Sequence, residues 1–255
     1  MLCLDVGNTH IYGGVFRDDE IVFRFRCTSL SRTADETGIF LRQVLQANAC
    51  DLSSIQDIAI CSVVPQLDYS LRSACLKYFS IDPFFLQPGV RTGLKIKYSH
   101  PSEVGADRIA NAVASVQLYP DTHCIIIDFG TATTFCAVSA TKEYYGGAIL
   151  PGVRLAVEAL AQNTAKLPVV EIIKPAVTIG RSTIESIQSG VYFGMLGACR
   201  ELILRMKREK FGTAPVKVIA TGGFASLFEG QQVYDVLLPD LVLQGIRCTV
   251  ALSRK

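Results

Sequence analysis

The sequence predicts an α/β protein of two similar domains, each a mixed sheet with flanking helices. Three observations carry that prediction. A short apolar strand ending in a carboxylate and a Gly/Thr turn occurs twice, as LCLDVGNT at Leu2–Thr9 and as IIIDFGTA at Ile125–Ala132. Each copy runs into a further apolar stretch, Ile11–Phe16 and Phe135–Val138, as a β-hairpin would. Strand-like and helix-like patterns then alternate along the chain. A single apolar-Asp-x-Gly string is common by chance. Two of them, with Asp5 and Asp128 standing 123 residues apart in a chain of 255, argue for a duplication rather than a solenoid. The predicted domains are 1–118 and 119–255, each of ordinary size.

The elements follow in order. Residues 1–28 read as a strand, a tight turn around Gly7–Thr9 and two more strands, with Arg17–Glu20 as a polar turn. Thr33–Ala49 is helical: Ile39, Leu41, Val44 and Leu45 form one face, and Thr33 with Glu36 makes a capping box. Ile58–Val64 is a buried strand closed by Pro65. A helix follows over Leu67–Phe79, then a short strand at Phe84–Leu86. Gly89–Pro101 reads as a loop. In SEVGADRIANAVASVQLYP, Ile109, Val113 and Val116 repeat at helical spacing, from a start near Gly105 to a stop at Pro120. After the central strand, Gly146–Gly147 and Pro151–Gly152 bracket a closely shaped apolar piece. Val153–Ala161 is helical, and Asn163–Pro168 and Thr178–Thr183 are polar turns. A long helix over Ile184–Lys210 carries Gly190, Gly194 and Gly197, which cost helix propensity and point to close packing within the domain or across a dimer. Val216–Ala220 is a strand ending in Thr221, Gly222 and Gly223, and Asp240–Ser253 is a helix.

Composition narrows the function classes. Hydrophobic residues make up 49% of the chain and charged residues 19%, below the usual ~25%, so part of the surface is expected to be buried against a partner chain. The net charge of +2, from 25 basic and 23 acidic residues, argues against a nucleic-acid binder held by phosphate contacts. Arg205–Lys210 reads as a solvated helix end. Nine scattered cysteines without a CxxC pair point to a reduced cytosolic protein with neither a zinc site nor a disulfide frame. Asp5 comes too early for a signal peptide, and no apolar run approaches the ~20 residues of a membrane span.

The chemistry gathers at the repeated strand ends. An apolar run fixes the backbone, Gly130 permits a tight turn, and hydroxyls and turn N–H groups can face anionic oxygens. Asp128 is placed to hold a cation or its water. Asp107 and Arg108 fall in the first turn of a helix, where the exposed N–H groups and the dipole favour the carboxylate anion. Local sequence reads Asp107 equally well as a helix-start residue, and Arg108 as a surface ion pair. Thr221–Gly223 resembles a nucleotide-binding turn, although an ordinary Gly-Gly turn is commoner.

Taken together, DVGNT at Asp5–Thr9, GADR at Gly105–Arg108, DFGTATT at Asp128–Thr134, GGAILPG at Gly146–Gly152 and ATGG at Ala220–Gly223 resemble the type III pantothenate kinases of the acetate and sugar kinase/heat-shock/actin superfamily. The resemblance spans nearly the whole chain. It implies two RNase H-like domains with ATP in the cleft between them. It also implies transfer of the ATP γ-phosphoryl to the primary hydroxyl of pantothenate, the first step of coenzyme A synthesis. By carry-over, Asp5, Val6, Gly7, Asn8, Thr9, His10, Ile11, Tyr12 and Thr131 would contact ATP. Tyr98, Gly105, Ala106, Asp107, Arg108 and Thr183 would contact pantothenate. Asp107 would be the base, Asp128 would hold K⁺ or NH₄⁺, and Mg²⁺ would arrive with ATP. A carboxylate of ordinary pKa suffices as such a base. Such enzymes are cytosolic homodimers, with Thr183 given to the neighbouring subunit. The turn before the long helix reads GRST where GxNT is expected, so Ser182 replaces an asparagine. The phosphate motifs alone suit a sugar kinase or a nucleotide-gated regulatory protein as well; GADR separates these readings.

Overall fold

A computed structural model describes residues 1–254. The first sheet is built from β1 (Leu2–Val6), β2 (His10–Arg17), β3 (Glu20–Thr28), β4 (Ile58–Ser62) and β5 (Phe84–Leu86). Its spatial order is β3-β2-β1-β4-β5; β2 is antiparallel to both β1 and β3, while β4 runs parallel to β1 and to β5. Leu2, Leu4 and Val6 alternate into a core shared with Leu41 and Leu45 of α1 (Ala34–Ala47) and with Leu67 and Leu71 of α2 (Pro65–Phe79). Alternation therefore turns Cys3 and Asp5 to the opposite face. The predicted capping box starts α1: Thr33 Oγ1 accepts from the Glu36 N–H at 3.2 Å, and the Glu36 carboxylate accepts from the Thr33 N–H at 2.8 Å. Pro65 opens α2, where its missing N–H costs nothing.

The second sheet contains β6 (Lys95–Ile96), β7 (His123–Phe129), β8 (Ala132–Val138), β9 (Glu143–Pro151), β10 (Val216–Thr221) and β11 (Val236–Leu237). Its order is β11-β10-β7-β8-β9-β6. Leaving out β6, the pattern of antiparallel and parallel neighbours is that of the first sheet, with β7 in the place of β1. The duplication predicted from Asp5 and Asp128 is thus visible in the topology. Ile125, Ile127 and Phe129 face a core with Tyr192, Leu196 and Cys199 of α5 (Thr183–Met206), which a wider turn over Lys207–Phe211 prolongs. The fourth helix, α4 (Val153–Gln162), follows β9 directly.

The chain forms two compact units. One comprises Met1–Gly93, His100–Ala114 and the segment from Leu241 onward; the other comprises Leu94–Ser99 and Ser115–Asp240. The sequence reading kept 119–255 together and divided the chain after residue 118. In the structure α6 (Leu241–Ser253) packs on the first sheet, and the division falls inside α3 (Ala106–Leu118). The cause is close approach: a Cβ on Gly14 would stand 2.8 Å from Leu243, and one on Gly245 only 1.9 Å from the Ala110 carbonyl oxygen of α3. Three strands escaped the reading, β6, β9 and β11. Within the chain the glycines of the long helix meet no neighbour: nothing lies within 4 Å of a Cβ built on Gly190, Gly194 or Gly197. All nine cysteines are free, and among the described residues no helix is long and apolar enough to cross a membrane.

Candidate active site

In the first unit, the β1–β2 turn carries Gly7, Asn8 and Thr9 at the surface. The Gly7 N–H donates to the His10 carbonyl at 3.0 Å, and Ser29 Oγ donates to the Gly7 carbonyl at 2.5 Å. The Ser29 N–H donates to the Thr9 carbonyl at 3.0 Å, so Ser29 ties down both sides of the turn. Val6 and Ile11 turn their side chains into the core and pair with each other across the hairpin, and the Val6 carbonyl accepts the Val63 N–H at 3.0 Å. Asp5, His10 and Tyr12 are half-buried. Cross-strand register sets Tyr12 beside Asp5, and Cys61 of β4 on its other side.

The GADR turn lies in the same unit. Asp107 Oδ1 accepts the Arg108 N–H at 2.8 Å at the start of α3. The carboxylate folds back over Gly105: a Cβ there would stand 2.5 Å from Asp107 Oδ1, so a side chain at that position would push the carboxylate aside. Burial pushes the Asp107 pKa above the ordinary carboxylate value, partly offset by the Arg108 N–H and guanidinium. The sequence requires no raised pKa of such a base, and the helix start alone predicts a stabilised anion. Arg108 is only 7% exposed, which removes the surface ion pair as its explanation. The Cys61 thiol is pushed well above its usual pKa, first by burial and then by Asp5, Asp107 and Asp68. Three carboxylates therefore share the surroundings of one buried thiol. Asp5 and Asp107 are expected site residues, one for ATP and one for pantothenate. Asp68 of α2 was missed, and its buried Oδ1 has no hydrogen-bond partner.

In the second unit Asp128 occupies the place of Asp5. Register sets Thr134 of β8 on one side of it and Thr221 of β10 on the other. A Cβ on Gly222, which has φ +90°, would stand 2.4 Å from Asp128 Oδ1. The ATGG turn is thus pressed against this carboxylate and against the Phe129 backbone, whose N would stand 2.6 Å from the same Cβ. The Gly130 N–H donates to the Ala132 carbonyl at 3.1 Å, repeating the Gly7 turn with one residue fewer. Thr131 is exposed, and its carbonyl accepts the Gly152 N–H at 3.0 Å at the start of α4.

Tyr98 and Thr183 belong to this unit but to separate surroundings. Tyr98 lies against Gly146, where φ is +99° and a Cβ would come within 2.9 Å of the ring. Thr183 begins α5 and is exposed. Ser182 is the N-cap, accepting from the Glu185 N–H at 3.2 Å, so serine does there what asparagine would do. Thr183, Ser182, Gly190, Gly194, Leu160 and Met195 are among the residues lining an open groove of about 1310 Å³ between α4 and α5. Among the described residues no group of three or more His, Cys, Asp or Glu is arranged to hold a metal ion.

Comparison with known proteins agrees with this architecture. A family model described as type III pantothenate kinase matches residues 1–205. The type III pantothenate kinase of Legionella pneumophila strain Corby is 65% identical over 253 residues, covering 99% of each chain. Type III pantothenate kinase 1 of Francisella tularensis strain OSU18 is 48% identical over 248 residues, covering 97% of each. Among solved structures, the activator of the 2-hydroxyisocaproyl-CoA dehydratase from Clostridium difficile, with bound ADPNP, has a TM-score of 0.52 at 13% identity, covering 98% of this chain and 92% of that one. That likeness shows the actin-like ATPase fold and nothing of function.

Proposed function

The chain belongs to the type III pantothenate kinases, and from that premise we propose how its residues divide the work. The protein is an ATP-dependent kinase acting on pantothenate at the first step of coenzyme A synthesis. The turn and strand residues Asp5–Tyr12, with Thr131, hold ATP. Tyr98, Gly105–Arg108 and Thr183 hold pantothenate. Asp107 is the general base.

The observation that carries this reading is the Asp107 carboxylate, fixed by the Arg108 N–H, folded over Gly105 and sharing the Cys61 surroundings with Asp5. The primary hydroxyl oxygen attacks the γ-phosphorus, the bond to the β–γ bridging oxygen breaks, ADP leaves, and the hydroxyl proton passes to Asp107. Phosphoryl transfer passes through a loose transition state, so positioning and charge neutralisation dominate and the proton moves late. The raised pKa of Asp107 makes its carboxylate a better proton acceptor than an ordinary aspartate. Arg108 offers a planar fork to the substrate carboxylate.

Asp128, flanked by the hydroxyl residues Thr134 and Thr221, offers only oxygen donors, which suits a hard monovalent ion such as K⁺ or NH₄⁺. That ion would supply positive charge near the phosphates. Mg²⁺ accompanies ATP and keeps several of its waters. The groove between α4 and α5, open over Gly190 and Gly194, is the surface against which a second copy packs in a homodimer, with Thr183 on its rim. The enzyme acts in the cytoplasm.

The test is ADP release with Mg-ATP, with and without pantothenate, in K⁺ and in Na⁺. Pantothenate-dependent release that falls away in Na⁺ is expected. Equal release with and without pantothenate would contradict the acceptor, and an equal rate in Na⁺ would contradict the cation.

A further inference from the structure

We propose that Arg26 is an additional nucleotide-binding residue, a cation that reaches phosphate oxygens of ATP from the third strand of the first sheet. The inference rests on the reading that Asp5–Tyr12 holds ATP, and it extends that site to a residue that neither the motifs nor the resemblance singled out.

Strand register aligns Arg26 with the phosphate hairpin. Asp5 of β1 pairs with Tyr12 of β2, and Tyr12 pairs with Arg26 of β3. Directly paired residues on neighbouring strands point to the same face. Arg26, Tyr12, Asp5 and Cys61 therefore form one row across the sheet, on the face opposite the Leu2–Leu4–Val6 core. The Arg26 guanidinium lies 4.8 Å from the centre of the Tyr12 ring. Stacking of this kind holds the flat group in place while leaving its N–H edge available.

The rest of the cation is unused. Arg26 is exposed, and among the described residues its side chain has no ion pair and no hydrogen bond; its contact is the Tyr12 ring. The strong pairing seen elsewhere, such as Arg254 with Asp57 or Arg72 with Asp82, is missing here. Arg26 also stands close to the phosphate turn along the strands. Thr28, two residues on, pairs with His10, and Ser29 anchors Gly7 and Thr9. The second sheet supplies the contrast. At the matching position β9 carries Ile149 opposite Thr134, and that side chain is 61% exposed. The duplicated frame thus carries a positive charge on only one of its two phosphate hairpins at this position. Arginine forms charge-assisted, often bidentate bonds to phosphate, and a stacked guanidinium loses little entropy in doing so.

The experiment compares ATP affinity by calorimetry, and KM for each substrate, in the full-length protein and in Arg26→Gln, Arg26→Lys and Asp5→Asn. Arg26→Gln is expected to weaken ATP binding about tenfold, with the KM for pantothenate within about twofold of the parent and the unfolding temperature unchanged. Arg26→Lys is expected to recover only part of the affinity, because the charge remains but the flat, stacked fork is lost. A purely structural role would move both KM values, or the unfolding temperature, together. Wild-type ATP affinity in Arg26→Gln overturns the proposal. If Asp5→Asn then weakens Mg-ATP binding, the turn reading stands and Arg26 alone is excluded. If Asp5→Asn is also unaffected, the turn reading fails with it.

Discussion

The two hairpins are copies of one device, and they differ where it matters. In the first unit a three-residue turn, Gly7–Thr9, joins strands whose shared row reads Arg26, Tyr12, Asp5, Cys61. In the second, a two-residue turn, Gly130–Thr131, joins strands whose row reads Ile149, Thr134, Asp128, Thr221. One carboxylate has an aromatic ring and a thiol beside it and two further acids nearby; the other has two hydroxyl residues and a glycine turn pressed against it. The same backbone therefore serves opposite needs. In the function proposed above, the first copy gathers acids for the reacting group, and the second gathers neutral oxygens of the kind that replace the water around a cation.

The largest expected effect tests the acid-rich copy. Asp107→Asn should cut pantothenate-dependent turnover by about 10²- to 10⁴-fold while leaving ATP binding largely intact. Its stability should move the other way. Asp107 has a raised pKa in the folded state, so the ionised carboxylate costs folding free energy above that pKa. The asparagine variant should unfold at a higher temperature at pH 7, and the gain should vanish at acid pH, where the native aspartate is protonated. The parent's kcat/KM should fall on the acid side at a pH above that of an ordinary aspartate. A lower unfolding temperature for the variant at pH 7 would mean that Asp107 is not held at a cost.

The second effect tests the oxygen-rich copy. Asp128→Ala should remove the response to K⁺ and reduce turnover by about 10²-fold. Next comes the glycine contrast. Gly222→Ala must place a Cβ 2.4 Å from Asp128 Oδ1 at a φ of +90°, and should destabilise the protein by about 1–3 kcal/mol. Gly7→Ala meets its nearest atom, the His10 carbonyl oxygen, at 3.3 Å, and its stability should stay within about 1 kcal/mol of the parent. Equal costs in chemical denaturation would erase that distinction. The smallest effect concerns the cap. Ser182→Asn should be neutral to within a few tenths of a kcal/mol, and Ser182→Ala should lose about 1 kcal/mol, because the side chain is needed only to accept the Glu185 N–H.

Much of this was legible in the chain because it is local. The paired strings at Leu2–Thr9 and Ile125–Ala132 place two strands, two turns and two carboxylates without any long-range information. The Thr33–Glu36 capping box is equally self-contained. What escaped depends on distant partners. β9 was hidden by Gly146 and Gly147, which look like turn residues; Gly147 sits where a Cβ would meet the Phe135 carbonyl carbon and oxygen, a close strand approach that only glycine allows. β6 and β11 are two residues long and exist only by pairing with β9 and β10. Nothing in Leu241–Ser253 announces that it returns to the first sheet. At the candidate site, the motif residues were readable, whereas Asp68, Cys61 and Arg26 were not. An exposed arginine on an alternating strand reads as a solvated face until register sets it beside Tyr12 and Asp5. The raised pKa of Asp107 was invisible for the same reason: helix-start position predicts a stabilised anion, and burial overrides it.

The most direct test of the division between the two hairpins is a K⁺ titration of pantothenate-dependent ADP release in Asp128→Asn and Asp5→Asn side by side. The account predicts that the residual activity of Asp128→Asn no longer responds to K⁺, while that of Asp5→Asn, though low, still does. A normal K⁺ response in Asp128→Asn, or its loss in Asp5→Asn alone, would contradict it.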